Sequence, residues 1–195
     1  MNKTLKLILL AVLFIALIAG AAVLYDLLGD AAAPEQLATE PPAPTDEATD
    51  PHRTAAPDFT VLDMEGNERK LSEFFGKPIV LNFWASWCGP CKMEMPDFDE
   101  AYQKYGDNIH FLMVNCTTSS RETMDSAKAL IADEGFTFPV YFDTTGKASG
   151  LYGAYSIPLT YFIDAEGYLV AYAQGAIAAD VLQIGIDRIY PPQAE

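Results

Sequence analysis

The chain is short of cysteine, of histidine and of basic side chains. Three cysteines in 195 residues are too few for a disulfide-stapled scaffold, and the odd number leaves at least one thiol unpaired if the other two bridge. A structural zinc site takes four ligands, and the spacing of Cys116, His52 and His110 relative to Cys88 and Cys91 is not metal-like. Twelve Lys and Arg face 27 Asp and Glu, for a net charge of −15. Such a chain repels phosphate backbones, which speaks against nucleic-acid binding. No internal repeat is visible. What the chain does hold is apolar: half of it is hydrophobic, enough for a packed core and too much for global disorder. The length suits one globular domain with extras, not two large ones.

The charge is unevenly spread. Lys3 and Lys6 are the only charged side chains before Asp26, and the 19 residues from Leu7 to Tyr25 carry none. At ~1.5 Å per residue that run spans roughly the hydrocarbon core of a bilayer. Lysines before it and acid after it place the N-terminus in the cytoplasm and the remainder outside. Residues 1–28 therefore read as an uncleaved transmembrane anchor. The competing reading is a cleaved signal peptide, because Ala19-Gly20-Ala21 has the small-x-small pattern of a cleavage site. No cysteine lies in this region, which excludes a lipid-modified cysteine anchor. Residues 29–55 read as a tether: Gly29 to Pro57 holds six prolines, six acids and no aromatic residue. A segment of this kind buries too little apolar surface to offset its ordering entropy, and proline with like charge keeps it extended.

From about Ala56 to Pro191 the pattern is that of a folded domain. Phe59 to Leu62 reads as a short strand before a turn, and Leu71 to Phe75 as one helical turn closed by Gly76. Pro78 to Trp84 is a nearly continuous apolar run, the habit of a central parallel strand buried on both faces. Met95, Phe98, Tyr102 and Tyr105 give Cys91 to Tyr105 a helical period. Ile109 to Cys116 is a second buried strand. Ser119 with Glu122 three residues on reads as a capping box opening a helix that runs to Gly135. Val140 to Phe142 is a short strand. Leu159 to Asp164 and Tyr168 to Ala173 form a hairpin around Ala165-Glu166-Gly167. Ala178 to Tyr190 is a closing helix stopped by Pro191-Pro192. The order β-α-β-α-β and then ββα predicts an α/β domain, a mixed central sheet flanked by helices.

The chemistry sits in Trp87-Cys88-Gly89-Pro90-Cys91-Lys92, where the buried strand hands over to the first long helix. Two thiols separated by two residues at a helix start can close a disulfide without unwinding the backbone. The first lies at the helix N-terminus, where unpaired N–H groups and the dipole favour a thiolate. Pro90 suits a first-turn position. The second thiol lies one turn inward and should be shielded. An exposed attacker with a buried resolving partner is what thiol–disulfide exchange needs.

With Asn82 to Pro96, Ala56-Pro57-Asp58-Phe59, Phe138-Pro139-Val140, Ser156 to Asp164 and Glu166-Gly167, the chain resembles thioredoxin-like proteins. It is most similar to the membrane-anchored ResA/TlpA-like thiol–disulfide oxidoreductases, over roughly Ala56 to Tyr190. The resemblance implies a thioredoxin fold with an N-terminal β-hairpin extension and a central α/β insertion. It implies catalytic roles for Cys88 and Cys91 as a redox-active disulfide, for Glu94 as the active-site glutamate, and for Pro158 as a cis-proline facing the disulfide. Trp87, Gly89, Pro90 and Ile157 would form the surface that meets the substrate, with Ile157 offering backbone groups to a substrate strand. Glu94, three residues after Cys91, shares its helix face; the alternative is a glutamate favoured there by the helix dipole. Asn82 falls where cytoplasmic thioredoxins carry a buried aspartate. Gly89 stands where some ResA-like members have Glu, and Cys-Gly-Pro-Cys is the thioredoxin pair, associated with a reducing potential of about −270 mV. Cys116 reads as a buried inert cysteine or a redox partner. Trp84 and His110 read as packing residues.

The expected function is reduction of disulfides in exported proteins, with apocytochrome c or an extracellular methionine sulfoxide reductase as candidate substrates. The implied electron donor is a membrane protein of CcdA/DsbD type. No cofactor, metal or nucleic acid is expected, and the protein is expected to be a monomer. Competing readings are a thiol peroxidase, a disulfide-forming oxidase and a non-enzymatic binding module. Peroxiredoxins usually carry Thr three residues before the reactive cysteine, and this chain has Ala85.

Overall fold

The computed structural model describes residues 53–118 and 121–192. The anchor expected at 1–28 and the tether up to residue 52 lie outside the described residues. In chain order the elements are β1 (Thr54–Ala55), β2 (Thr60–Leu62), β3 (Glu68–Lys70), a 3-10 turn (Leu71–Phe74), β4 (Ile79–Trp84) and α1 (Gly89–Tyr105). Then follow β5 (His110–Asn115), α2 (Met124–Glu134), β6 (Val140–Phe142), α3 (Lys147–Leu151), β7 (Leu159–Ile163), β8 (Tyr168–Gln174) and α4 (Ala179–Ile189). No helix among the described residues is long and apolar enough to cross a membrane.

The strands form one mixed sheet in the order β1-β8-β7-β4-β5-β6-β2-β3. Strands β4, β5 and β6 run parallel, and β7 lies antiparallel to β4 on its other edge. This is the thioredoxin-type layout that the resemblance implies. The β2–β3 hairpin is the N-terminal extension, joined to the sheet where Leu62 faces Phe142. Helix α2 and strand β6 are the central insertion and widen the sheet beyond β5.

Every side chain of β4 is buried, as the continuous apolar run predicts for a strand covered on both faces. The period-two alternation divides it. Val80 and Trp84 join Met95, Phe98 and Met113 in the apolar layer that packs against α1, α2 and α4. Ile79, Leu81 and Phe83 join Leu112, Val114, Tyr152 and Tyr161 in the opposite layer. Asn82 therefore points to the α1 side, where it faces Thr160 across the β4–β7 ladder. Helix α4 approaches β7 so closely at Gly185 that any Cβ there would collide with the Phe162 ring.

The helix after β5 begins differently from expectation. Thr123 is its N-cap: its hydroxyl accepts from the Ser126 N–H at 3.0 Å, and Ser126 Oγ accepts from the Thr123 N–H at 3.0 Å; Ser119 lies outside the described residues. Glu122 is buried, 2% exposed. Strands β1 and β3 and helix α3 have no counterpart in the sequence pattern. Strand β1 occupies the last two tether residues, and Glu68–Lys70 and Lys147–Leu151 are too short and too polar to show a period.

Candidate active site

Helix α1 begins where β4 ends, and the two cysteines lie across its first turn. Cys88 is the N-cap, Gly89 and Pro90 are the first helical residues, and Cys91 is the third. Pro90 costs the helix nothing there because a first-turn N–H has no helical acceptor. Cys88 and Cys91 are joined in a disulfide with their Cα atoms 5.3 Å apart, and the Cys91 N–H donates to Cys88 Sγ at 3.2 Å. Cys91 is fully buried and Cys88 is 4% exposed, so the first sulfur is less open than a free surface thiol. Trp87 beside it is 45% exposed.

The loop before β7 closes over the disulfide. The Ile157–Pro158 bond is cis, and the Ile157 carbonyl oxygen lies 3.7 Å from Cys88 Sγ. A disulfide sulfur has no proton, so this contact becomes a hydrogen bond only when Cys88 is a thiol. The structure thus brings together Cys88, Cys91, Gly89, Pro90, Trp87, Ile157 and Pro158.

Glu94 lies one turn beyond Cys91 and is 2% exposed. Its carboxylate accepts from the Asn82 amide at 2.8 Å and from the Ile177 N–H, in the segment before α4, at 2.9 Å. The same Asn82 amide nitrogen donates to Thr160 Oγ1 at 3.0 Å. Burial pushes the Glu94 carboxyl up to about 7, against the two hydrogen bonds that hold it down. The dipole reading of Glu94 accounts for neither its burial nor its partners. Asn82 Oδ1 is one of two buried side-chain polar atoms left without a partner among the described residues; the other is Trp84 Nε1.

Other candidates lie apart from this chemistry. Cys116 is half-buried, and burial, with Asp143 and Glu122 nearby, pushes its thiol up to about 12. Burial of this kind disfavours the thiolate, the reactive form of a cysteine. His110 sets its ring against the edge of Phe74, centroids 5.3 Å apart, and burial with Lys77 and Arg69 lowers its pKa. Trp84 is wholly buried in the core. The sequence reading missed Thr160 and the Ile177 N–H. Pairing of β7 beside β4, with the alternation along both strands, points to the first; the second is a backbone group 83 residues from Glu94 and leaves no signal.

A mixed sheet that delivers a Cys-x-x-Cys disulfide to a helix N-terminus beneath a cis-proline loop defines a thioredoxin-like thiol–disulfide oxidoreductase. The chain matches the AhpC/TSA family over residues 53–172 and belongs to it. It is 32% identical over 137 residues to the thiol-disulfide oxidoreductase ResA of Bacillus thuringiensis, covering 70% of this chain and 77% of that protein. Among solved structures it is similar to the pneumococcal exposed lipoprotein thioredoxin Etrx1 of Streptococcus pneumoniae: 34% identity, TM-score 0.59, 67% of this chain and 99% of that one. It is also similar to StoA of Bacillus subtilis, with 26% identity and TM-score 0.58 over 66% of this chain and 96% of that one. It is an enzyme of the ResA/StoA type.

The raised Glu94 carboxyl gives a stability test. The folded protein holds this proton more tightly than the unfolded chain does. The corresponding stability is fully present below about pH 4.5 and is lost as pH rises through about 7. The shift corresponds to at most about 3 kcal/mol. Urea unfolding of the oxidised protein across this window should show wild type losing stability relative to Glu94→Gln as pH rises. Parallel curves would contradict a raised Glu94.

Proposed function

We propose that this protein is a membrane-tethered, extracytoplasmic reductase of disulfides in exported proteins. The observation that carries the reading is the Cys88–Cys91 disulfide at the start of α1, with the Ile157 carbonyl 3.7 Å from Cys88 Sγ. In the reduced enzyme the Cys88 thiolate attacks one sulfur of a substrate disulfide. A mixed disulfide forms through Cys88, and the other substrate sulfur leaves as a thiolate. Cys91 then attacks Cys88 Sγ, closes the Cys88–Cys91 disulfide and releases the second substrate thiol. Two electrons pass to the substrate, and a membrane dithiol donor of CcdA/DsbD type restores the pair. An extended substrate segment lies along the backbone of Ile157, flanked by Trp87, Gly89 and Pro90.

Cys91 must lose its proton while shielded from water, where burial disfavours a thiolate. Glu94, on the same helix face and with its own carboxyl near neutrality, takes that proton directly or through one water. Asn82 suits either state of Glu94. As placed, its amide nitrogen donates to the carboxylate; turned over, its unpaired Oδ1 accepts from the carboxylic acid. Apocytochrome c and an extracellular methionine sulfoxide reductase are the candidate substrates. A thiol peroxidase fits less well, because Ala85 offers no hydroxyl three residues before Cys88.

Cys91→Ser should accumulate a mixed disulfide through Cys88 when offered a protein disulfide, and Cys88→Ser should reduce no disulfide at all. Mass spectrometry of the trapped adduct checks this, and trapping only in Cys88→Ser would reverse the roles.

The tether rests on the uncharged run Leu7–Tyr25 behind Lys3 and Lys6. The intact protein should sediment with membranes and be released by proteolysis between residues 29 and 57. A soluble protein beginning near Ala22 would replace the anchor with a signal peptide and leave the redox reading in place.

A further inference from the structure

The loop between β4 and α1 is held from an unexpected side. The Cys88 N–H donates to the Ala85 carbonyl at 3.1 Å, which makes Ser86 and Trp87 the two corner residues of a tight turn. Each corner is gripped by a residue of the segment that leads from β5 into the insertion. Glu122 accepts from the Ser86 N–H at 2.9 Å and from the Ser86 hydroxyl at 2.7 Å. The Asn115 amide, at the end of β5, donates to the same carboxylate at 2.6 Å, and Asn115 Oδ1 in turn accepts from the Thr117 hydroxyl at 2.7 Å. The Arg121 guanidinium carbon lies over the Trp87 ring, 4.6 Å from its centre, where the ring face attracts a cation.

Burying a carboxylate is costly unless its oxygens are satisfied, and Glu122, 2% exposed, has three donors among the described residues. None of them belongs to the cysteine chemistry; two belong to the residue two places before Cys88. We propose that Arg121 and Glu122 are positioning residues for thiol–disulfide exchange. Glu122 fixes the turn that aims Cys88, and Arg121 fixes Trp87 as one wall of the surface that receives a protein substrate. The insertion then sets the reactivity and the substrate preference of the site as well as widening the sheet. This rests on the reading of Cys88 as the attacking sulfur.

The test uses the intact chain with Glu122→Ala, Glu122→Gln, Arg121→Ala and Arg121→Lys, well below their unfolding temperatures. Rates are measured on insulin and on a small aromatic disulfide, and acrylamide quenching of tryptophan fluorescence on the oxidised form. Glu122→Ala should lower kcat/KM for both disulfides by about tenfold, the order expected when a reacting group loses its aim. Glu122→Gln keeps an acceptor for the Ser86 N–H and should stay within about threefold of wild type. Arg121→Ala should raise KM for insulin more than for the small disulfide, and Arg121→Lys should not restore it, because a lysine lacks the planar stack. Quenching should rise in both alanine variants, reporting Trp87, since Trp84 is fully buried. Fluorescence needs no substrate, so it reads the clamp even if Cys88→Ser proves that another sulfur attacks. Unchanged quenching and unchanged kcat/KM in both Arg121→Ala and Glu122→Ala would overturn the proposal. If Glu122→Ala does not fold, Arg121→Ala still decides it through its quenching and its KM for insulin, and unchanged values there would overturn the proposal.

Discussion

Strand β4 pairs with β5 along one edge and with β7 along the other, and none of its side chains reaches water. The site depends on that double burial. A strand held on both edges and covered on both faces cannot slip register without moving a whole apolar layer. Its end is therefore a fixed point, and Cys88 follows Trp84 by only four residues. The same strand supplies Asn82, aimed by alternation at the α1 side, and the Trp84 carbonyl that receives the Cys116 N–H at 2.9 Å. From this anchor the chain turns once, through Ser86 and Trp87, and starts α1 with a cysteine as its cap.

Two buried carboxylates flank that short path and are treated differently by their surroundings. Glu94 lies behind the disulfide with an amide and one backbone N–H as donors, and burial brings its carboxyl near neutrality. In the proposed mechanism it exchanges a proton with the resolving thiol. Glu122 lies beside the turn and accepts twice from Ser86 and once from Asn115. Its place is mechanical. In this proposal the segment before α4 serves the proton chemistry, and the segment before α2 serves the aim.

Much of this was legible in the residues. The run Ile79 to Trp84 announces a central strand, and Cys88-Gly89-Pro90-Cys91 at its end announces the redox turn. Pro158 was drawn from resemblance, because an X-Pro bond is cis in only about 5–6% of cases. Glu122 was misread because Ser119-x-x-Glu122 satisfies the spacing of a capping box. Ser119 lies outside the described residues; Thr123 and Ser126 form the capping box of α2, and the Glu122 carboxylate takes the Ser86 and Asn115 donors. Strands of two or three residues such as Thr54–Ala55 and Glu68–Lys70 have no period to read; they exist because β8 and β2 offer edges to pair with. The partners of Glu94 come from β4 and the start of α4, a juxtaposition that only the folded topology creates.

The central claim is that this site gives electrons to substrate disulfides rather than withdrawing them from thiols. Equilibrating the soluble domain against defined ratios of reduced and oxidised glutathione or dithiothreitol gives the reduction potential of the Cys88–Cys91 pair. The account predicts a value of about −270 mV, in the range of reducing dithiols. A value of about −120 mV, that of a strong oxidant, would contradict it and make the protein an oxidase.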